Sequence, residues 1–286
     1  MSNQKNGGGC LPLIGTVIII FIGGGYLFNR FFLGKELTPL EGAKLIPEEA
    51  LITSYISTEP QAWSKLDNVG IPKQIIQDSI DSLEEELVTN STINYQEDIQ
   101  PWLGGVMVAV LPETTTPQDN VLVILGIKNK LKARSFFKKL EKEEQQTSQE
   151  IQYKGITITE TTESGKQQIY STVLDNKLLL AFTRQPLEQA IDTYKGEPSL
   201  LSQPEAKQAL SQPLKLQNSL GQVYFTNYSQ LVKRLTNTQK ISPALLAQLE
   251  QINSVVLGVS SETKGLHFQA VTQVNPESLL ILCYLR

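Results

Sequence analysis

The chain has 286 residues, with 25 Lys and Arg against 29 Asp and Glu, a formal net charge of −4 and 40% hydrophobic residues. No basic block or stripe is present, so the electrostatic footprint of a nucleic-acid binder is missing. Cys10 and Cys283 stand at opposite ends of the chain, which excludes a disulfide framework and a thiolate metal cluster in the body between them.

Residues 1–10 read as a polar tail. From Leu11 to Phe28 the chain runs LPLIGTVIIIFIGGGYLF without a charge. As a helix this run reaches roughly 27 Å, close to the thickness of a bilayer core. Asn29, Arg30 and Lys35 mark a wet far end, with Tyr26, Phe31 and Phe32 at headgroup level. Residues 11–33 are therefore expected to form a single transmembrane anchor. A cleaved signal peptide is the competing reading, with Gly23 and Gly25 near the cut. Its mature chain would begin at the apolar Tyr26-Leu27-Phe28, which argues for retention. Cys10 precedes the apolar run, whereas a lipoprotein cysteine follows one.

Residues 34–46 read as a linker and residues 47–160 as a first α+β repeat. Ala50–Ser57 is a strand. A helix begins at Pro72 with Ile76, Ile80, Leu83 and Leu87 on one face. Two buried-type strands, Gly105–Leu111 and Val121–Ile127, flank the polar loop Pro112–Asn120. A second helix starts near Asn129 with Ala133, Phe136, Phe137 and Leu140 inward, trails into a solvated stretch from Lys142 to Gln149, and is followed by a strand from Ile151 to Thr159. The order strand, helix, strand, strand, helix, strand is the split βαβ, ferredoxin-like order.

Residues 161–215 comprise a hairpin and connecting helices. Asp175-Asn176 suits a tight turn. A helix with Leu187, Ala190, Ile191 and Tyr194 inward stops at Gly196, and a short helix starts at Pro204. Residues 216–275 read as a partial second repeat. Gln222–Thr226 matches Ser54–Thr58. A helix from Pro243, with Leu246, Leu249 and Ile252 inward, matches the Pro72 helix. Ser254–Ser260 and Leu266–Val274 match the two buried-type strands. Residues 276–286 form an apolar tail. The fold class expected is α+β: an N-terminal single transmembrane helix, then antiparallel-sheet/helix layers in split βαβ order with a partial second repeat.

The segment Tyr95-Gln-Glu-Asp-Ile-Gln-Pro-Trp-Leu-Gly104 resembles the DI-x-PWLG motif of the domain of unknown function 3352 family, membrane-anchored proteins best represented in cyanobacteria. The Tyr153-Lys-Gly-Ile156 strand and the Leu174–Ala181 hairpin match as well, and the resemblance covers roughly residues 11–275. It implies an extracytoplasmic body (periplasm or thylakoid lumen) behind an uncleaved anchor, and it brings no catalytic residues. The faint Lys/Arg count across the anchor points the other way, and the resemblance outweighs it. Family members are typically longer, in keeping with a second repeat cut short. Read physically, Asp98 caps or turns, Pro101 stiffens, Trp102 is a buried anchor, and Gly104-Gly105 permits close backbone approach.

The inventory of chemistry is thin. The lone histidine, His267, alternates with apolar neighbours and is expected on the wetter face of its strand. Ser164-Gly165-Lys166 lacks the upstream glycine and the hydroxyl residue of a phosphate loop. Glu84–Glu86 and Glu141, Glu143 and Glu144 read as solvated faces. Asn90 and Asn227 begin glycosylation sequons, which matter only in a eukaryotic secretory route. No catalytic, cofactor-binding or metal residues are assigned, and no enzyme activity or cofactor is expected. The function expected is presentation of an extracytoplasmic domain for protein–protein interaction or envelope assembly. The alternatives are a binding module for lipid or pigment, and a hydrolase with an unrecognised site. The partners expected are the bilayer, through residues 11–33, and a protein or a second copy of the chain.

Overall fold

The computed structural model describes residues 36–64, 94–112, 117–143, 147–162, 168–211, 219–226, 251–262 and 265–274. Their strands form one sheet: β1 (Ile52–Ile56), β2 (Leu103–Val110), β3 (Val121–Ile127), β4 (Thr147–Tyr153), β5 (Ile156–Thr162), β6 (Ile169–Leu174), β7 (Lys177–Ala181), β8 (Ser219–Phe225), β9 (Ile252–Glu262) and β10 (Gly265–Val274). The spatial order is β10-β9-β8-β1-β2-β3-β7-β6-β5-β4, and every pairing is antiparallel. Five helices accompany the sheet among the described residues: α1 (Pro39–Ala43), α2 (Pro60–Ser64), α3 (Lys130–Glu143), α4 (Arg184–Lys195) and α5 (Pro204–Ser211).

Two layers of core follow from strand alternation. On one face Met107, Leu122, Ile124, Leu179 and Tyr224 meet Ala43, Leu187, Ile191 and Leu210 from α1, α4 and α5. On the other, Val123, Leu125, Leu178 and Leu180 meet Trp102 together with Ala133, Phe136 and Phe137 of α3. A strand covered on both faces must be apolar throughout. Accordingly all of VLVILGI in β3 and KLLLA in β7 is buried.

The mixed α+β class stands, and the ferredoxin-like order does not. That order keeps the first two strands apart. Here β2 lies directly against β1, with Ile52 opposite Val110 and Ile56 opposite Val106, and β3 lies on the far side of β2. Met107 and Ala109 feed one core while Val106 and Val108 pack on the other, so β2 suits an interior position. The linear order of elements does not encode this neighbour relation. The strand expected over Ile151–Thr159 is two strands. Lys154 (φ 48°) and Gly155 (φ 77°) turn the chain between β4 and β5, because paired left-handed residues match the twist of a hairpin. The start of β4 also takes in Thr147–Gln149, which had read as the solvated tail of a helix.

The supposed linker at residues 34–46 is folded from residue 36 onward. Leu37, Ala43, Leu45 and Ile46 are buried, and Thr38 caps α1 by accepting from the Glu41 N–H at 3.2 Å. Ile252 opens β9 instead of closing a helix. Among the described residues no helix is long and apolar enough to cross a membrane. The anchor at 11–33, the helices from Pro72 and Pro243, both sequons, Ser164–Lys166, Glu84–Glu86, Glu144 and the tail at 276–286 lie outside the described residues.

β1 and β8, which the sequence matches as equivalents, are neighbours in the sheet, with Ile52 opposite Phe225 and Ile56 opposite Gly221. β2 and β3 extend from β1 in one direction; β9 and β10 extend from β8 in the other. The two triplets thus meet edge to edge about a local two-fold axis.

Candidate functional site

The PWLG segment builds a fastening point. Asn94 accepts from the Glu97 N–H at 3.0 Å through Oδ1, and its own N–H donates to Asp98 Oδ2 at 2.9 Å. This reciprocal pair closes the π-helical turn Tyr95–Ile99, where the Gln100 N–H reaches the Tyr95 carbonyl. Trp102 follows, fully buried. Its indole N–H donates to the Asp98 carbonyl at 2.9 Å, and its ring lies 5.5 Å from Phe136 and 5.7 Å from Phe137. Lys139 of α3 reaches Asp98 Oδ2 at 2.7 Å. Burial alone would raise the Asp98 carboxyl, but the Asn94 N–H and Lys139 outweigh it and hold it below the usual carboxylate range. The motif locks α3 onto the sheet.

Where the chain enters the fold, Glu36 lies beside Lys128. A Cβ on Gly104 would fall 2.9 Å from Lys128 Cβ and 3.2 Å from Glu36 Cα. Glu59 joins this corner. Burial, the charge of Glu36 and a hydrogen bond to it raise the Glu59 carboxyl, while Lys128 opposes the rise. Tyr55 stands close by, its phenol pushed up to about 12, first by burial and also by Glu59 and Glu36, against a lowering hydrogen bond from Ser57. Thr58 Oγ1 donates to the Leu103 carbonyl at 3.0 Å. These contacts hold the ends of β1 and β2 together and carry no nucleophile–base pairing.

His267 is exposed, with Nδ1 3.5 Å from Glu262 Oε1. The exposure of His267 is as expected, and Leu266 packs against Ala62 and Leu220, but from Phe268 onward the alternation is reversed. Phe268 is 75% exposed, whereas Val271, on the His267 side of the strand, packs on the main core. Gln273, on that side too, accepts from Ser254 Oγ at 2.8 Å. Tyr194 is likewise not inward: it is 40% exposed and donates to Asp175 Oδ1 at 3.0 Å. Among the described residues no group of three or more His, Cys, Asp and Glu could hold a metal ion.

The family described as "Protein of unknown function (DUF3352)" matches residues 11–282, and the chain belongs to it. No curated protein matches the sequence. Among solved structures, crystal form IV of TP0453 is similar at a TM-score of 0.45 and 10% identity, covering 84% of this chain and 83% of that one. Crystal form III of TP0453 is similar at a TM-score of 0.44 and 9% identity, covering 85% of each chain.

Proposed function

We propose that this member of the family is a single-pass membrane protein that holds a non-enzymatic α+β body on the extracytoplasmic side, for contact with another protein or for envelope assembly. The observation that carries the reading is the absence of a spacer. The uncharged run Leu11–Phe28 lies only eight residues before Glu36 and nine before the buried Leu37, so a body anchored by residues 11–33 is presented close to the bilayer. The experiment is carried out on native membranes. The chain stays in the pellet after alkaline carbonate extraction, and a tag inserted at residue 120 is cut by protease added to intact cells or spheroplasts. Release by carbonate removes the anchor; protection of the tag until the membrane is opened reverses the orientation.

A further inference from the structure

Given that anchor, we infer that one end of the sheet rests on the bilayer surface, with Leu131, Trp63 and Tyr194 as its contact side chains. The inference rests on the anchored reading above and adds which surface of the body faces lipid.

The antiparallel register fixes what lies at each end of the sheet. Leu37 N–H donates to the Gly104 carbonyl at the start of β2. Ile56 at the end of β1 and Ile127 at the end of β3 are at that same end. So are the β6–β7 turn at Asp175-Asn176 and the β4–β5 turn at Lys154-Gly155. From Leu33, where the anchor stops, to Glu36 is three Cα steps, at most about 11 Å of chain. This end therefore cannot swing far from the headgroups.

The same end carries apolar side chains that the fold leaves open. Leu131 is 77% exposed in the first turn of α3, which follows the end of β3 at Ile127. Trp63 of α2 is 38% exposed; its indole N–H is satisfied by the Ser57 carbonyl at 2.7 Å, which leaves the ring as the free surface. Tyr194 closes the set beside the β6–β7 turn. Aromatic rings with a polar tip and an exposed leucine are the side chains that partition into the headgroup region. Lys154 at this end lies 2.6 Å from Asp192, while Lys132 and Lys195 are exposed next to Leu131 and Tyr194. The contact inferred is the apolar one made by these three side chains, and zwitterionic lipid is the surface that tests it.

The test uses the full chain in phosphatidylcholine nanodiscs whose headgroups carry a quencher. Cys10→Ser and Cys283→Ser clear the background. A fluorophore is then placed at Leu131→Cys or, at the opposite end, at Gln185→Cys, an exposed position in the first turn of α4. The two ends are roughly 20–25 Å apart along the strands. Quenching at least threefold stronger at residue 131 than at residue 185 supports the contact. Equal quenching in a chain that withstands carbonate extraction overturns the contact and leaves the anchor standing, whereas a chain that carbonate releases fails at the anchor itself. A difference that appears only after anionic lipid is added overturns the apolar contact in favour of an ionic one.

Discussion

The Leu37 N–H meets the Gly104 carbonyl at 2.6 Å, and a Cβ added to Gly126 would sit 2.5 Å from Leu37 Cβ. Leu37 thus lies in a slot walled by glycine backbone between β2 and β3. Gly126→Ala has no room to adjust, since the same Cβ would also fall 2.7 Å from the Gly104 carbonyl oxygen. Overpacking of this kind costs about 1–3 kcal/mol, and Leu37→Ala about 2–5 kcal/mol. Urea unfolding of the full chain in detergent is expected to show both losses. A Gly126→Ala midpoint equal to wild type would mean that the slot is slack.

Trp102→Ala is expected to cost about 3–5 kcal/mol, because the indole fills the space against Phe136 and Phe137 and its N–H is satisfied internally. His267→Ala is expected to change stability by less than about 0.5 kcal/mol, as surface substitutions do. Thermal melts check both: an unaltered Trp102→Ala transition denies the fastening role, and a large His267→Ala loss contradicts its exposure.

These two residues were placed by different signals. Trp102 was legible because a large aromatic between proline and paired glycines has few uses other than an anchor. α3 was legible through the inward set Ala133, Phe136 and Phe137 and through Asn129, whose Oδ1 accepts the Lys132 N–H at 3.1 Å. Gly196 stops α4 as expected, with φ 123°. The Lys154-Gly155 turn was hidden because lysine carries no turn signal, and its φ of 48° is imposed by the pairing of β4 with β5. Phe268 misled because alternation tells two faces apart without saying which is covered. The segment from residue 36 looked like a linker because Pro39, Gly42 and Pro47 break periodicity; Pro39 in fact starts α1, and Gly42 lies against Met107 and Leu37. At the candidate site, the Glu36–Glu59 corner brings together residues 23 positions apart, a proximity that no local pattern carries.

Asp98 and Glu59 respond to acid in opposite senses. The folded state lowers the Asp98 carboxyl, so its stabilisation is complete above the unfolded value of about 4 and is lost as pH falls through the lowered value. Asp98→Asn is expected to cost about 1 kcal/mol at neutral pH, discounted because Lys139 is 36% exposed, and to cost nothing in strong acid. The folded state raises the Glu59 carboxyl, so its contribution is present below the unfolded value and is lost as pH rises through the raised value. Glu59→Gln is therefore expected to raise the melting temperature at neutral pH and to leave it unchanged in acid. Melts of both variants across pH 2–8 decide the signs; a Glu59→Gln variant less stable than wild type at neutral pH would show that Lys128 outweighs Glu36.

β10 supplies the last prediction. Among the described residues this strand of ten residues pairs only with β9, and none of them pairs with its other edge. Its sequence, GLHFQAVTQV, holds no Lys, Arg, Asp, Glu or Pro, and those are the residues with which exposed edges are usually blunted. Two such strands can meet antiparallel about a two-fold axis without opposing like charges. The junction of β1 with β8 already joins two three-stranded units in that way within one chain. Phe268, 75% exposed, would then lie across from the partner strand. The full chain in mild detergent is expected to be a dimer by light scattering, and Ala270→Lys, a charge on an exposed β10 position, is expected to shift it to monomer with little change in melting temperature. A monomeric wild type would show that the β10 edge is covered within the chain. A dimer indifferent to Ala270→Lys would place the interface elsewhere.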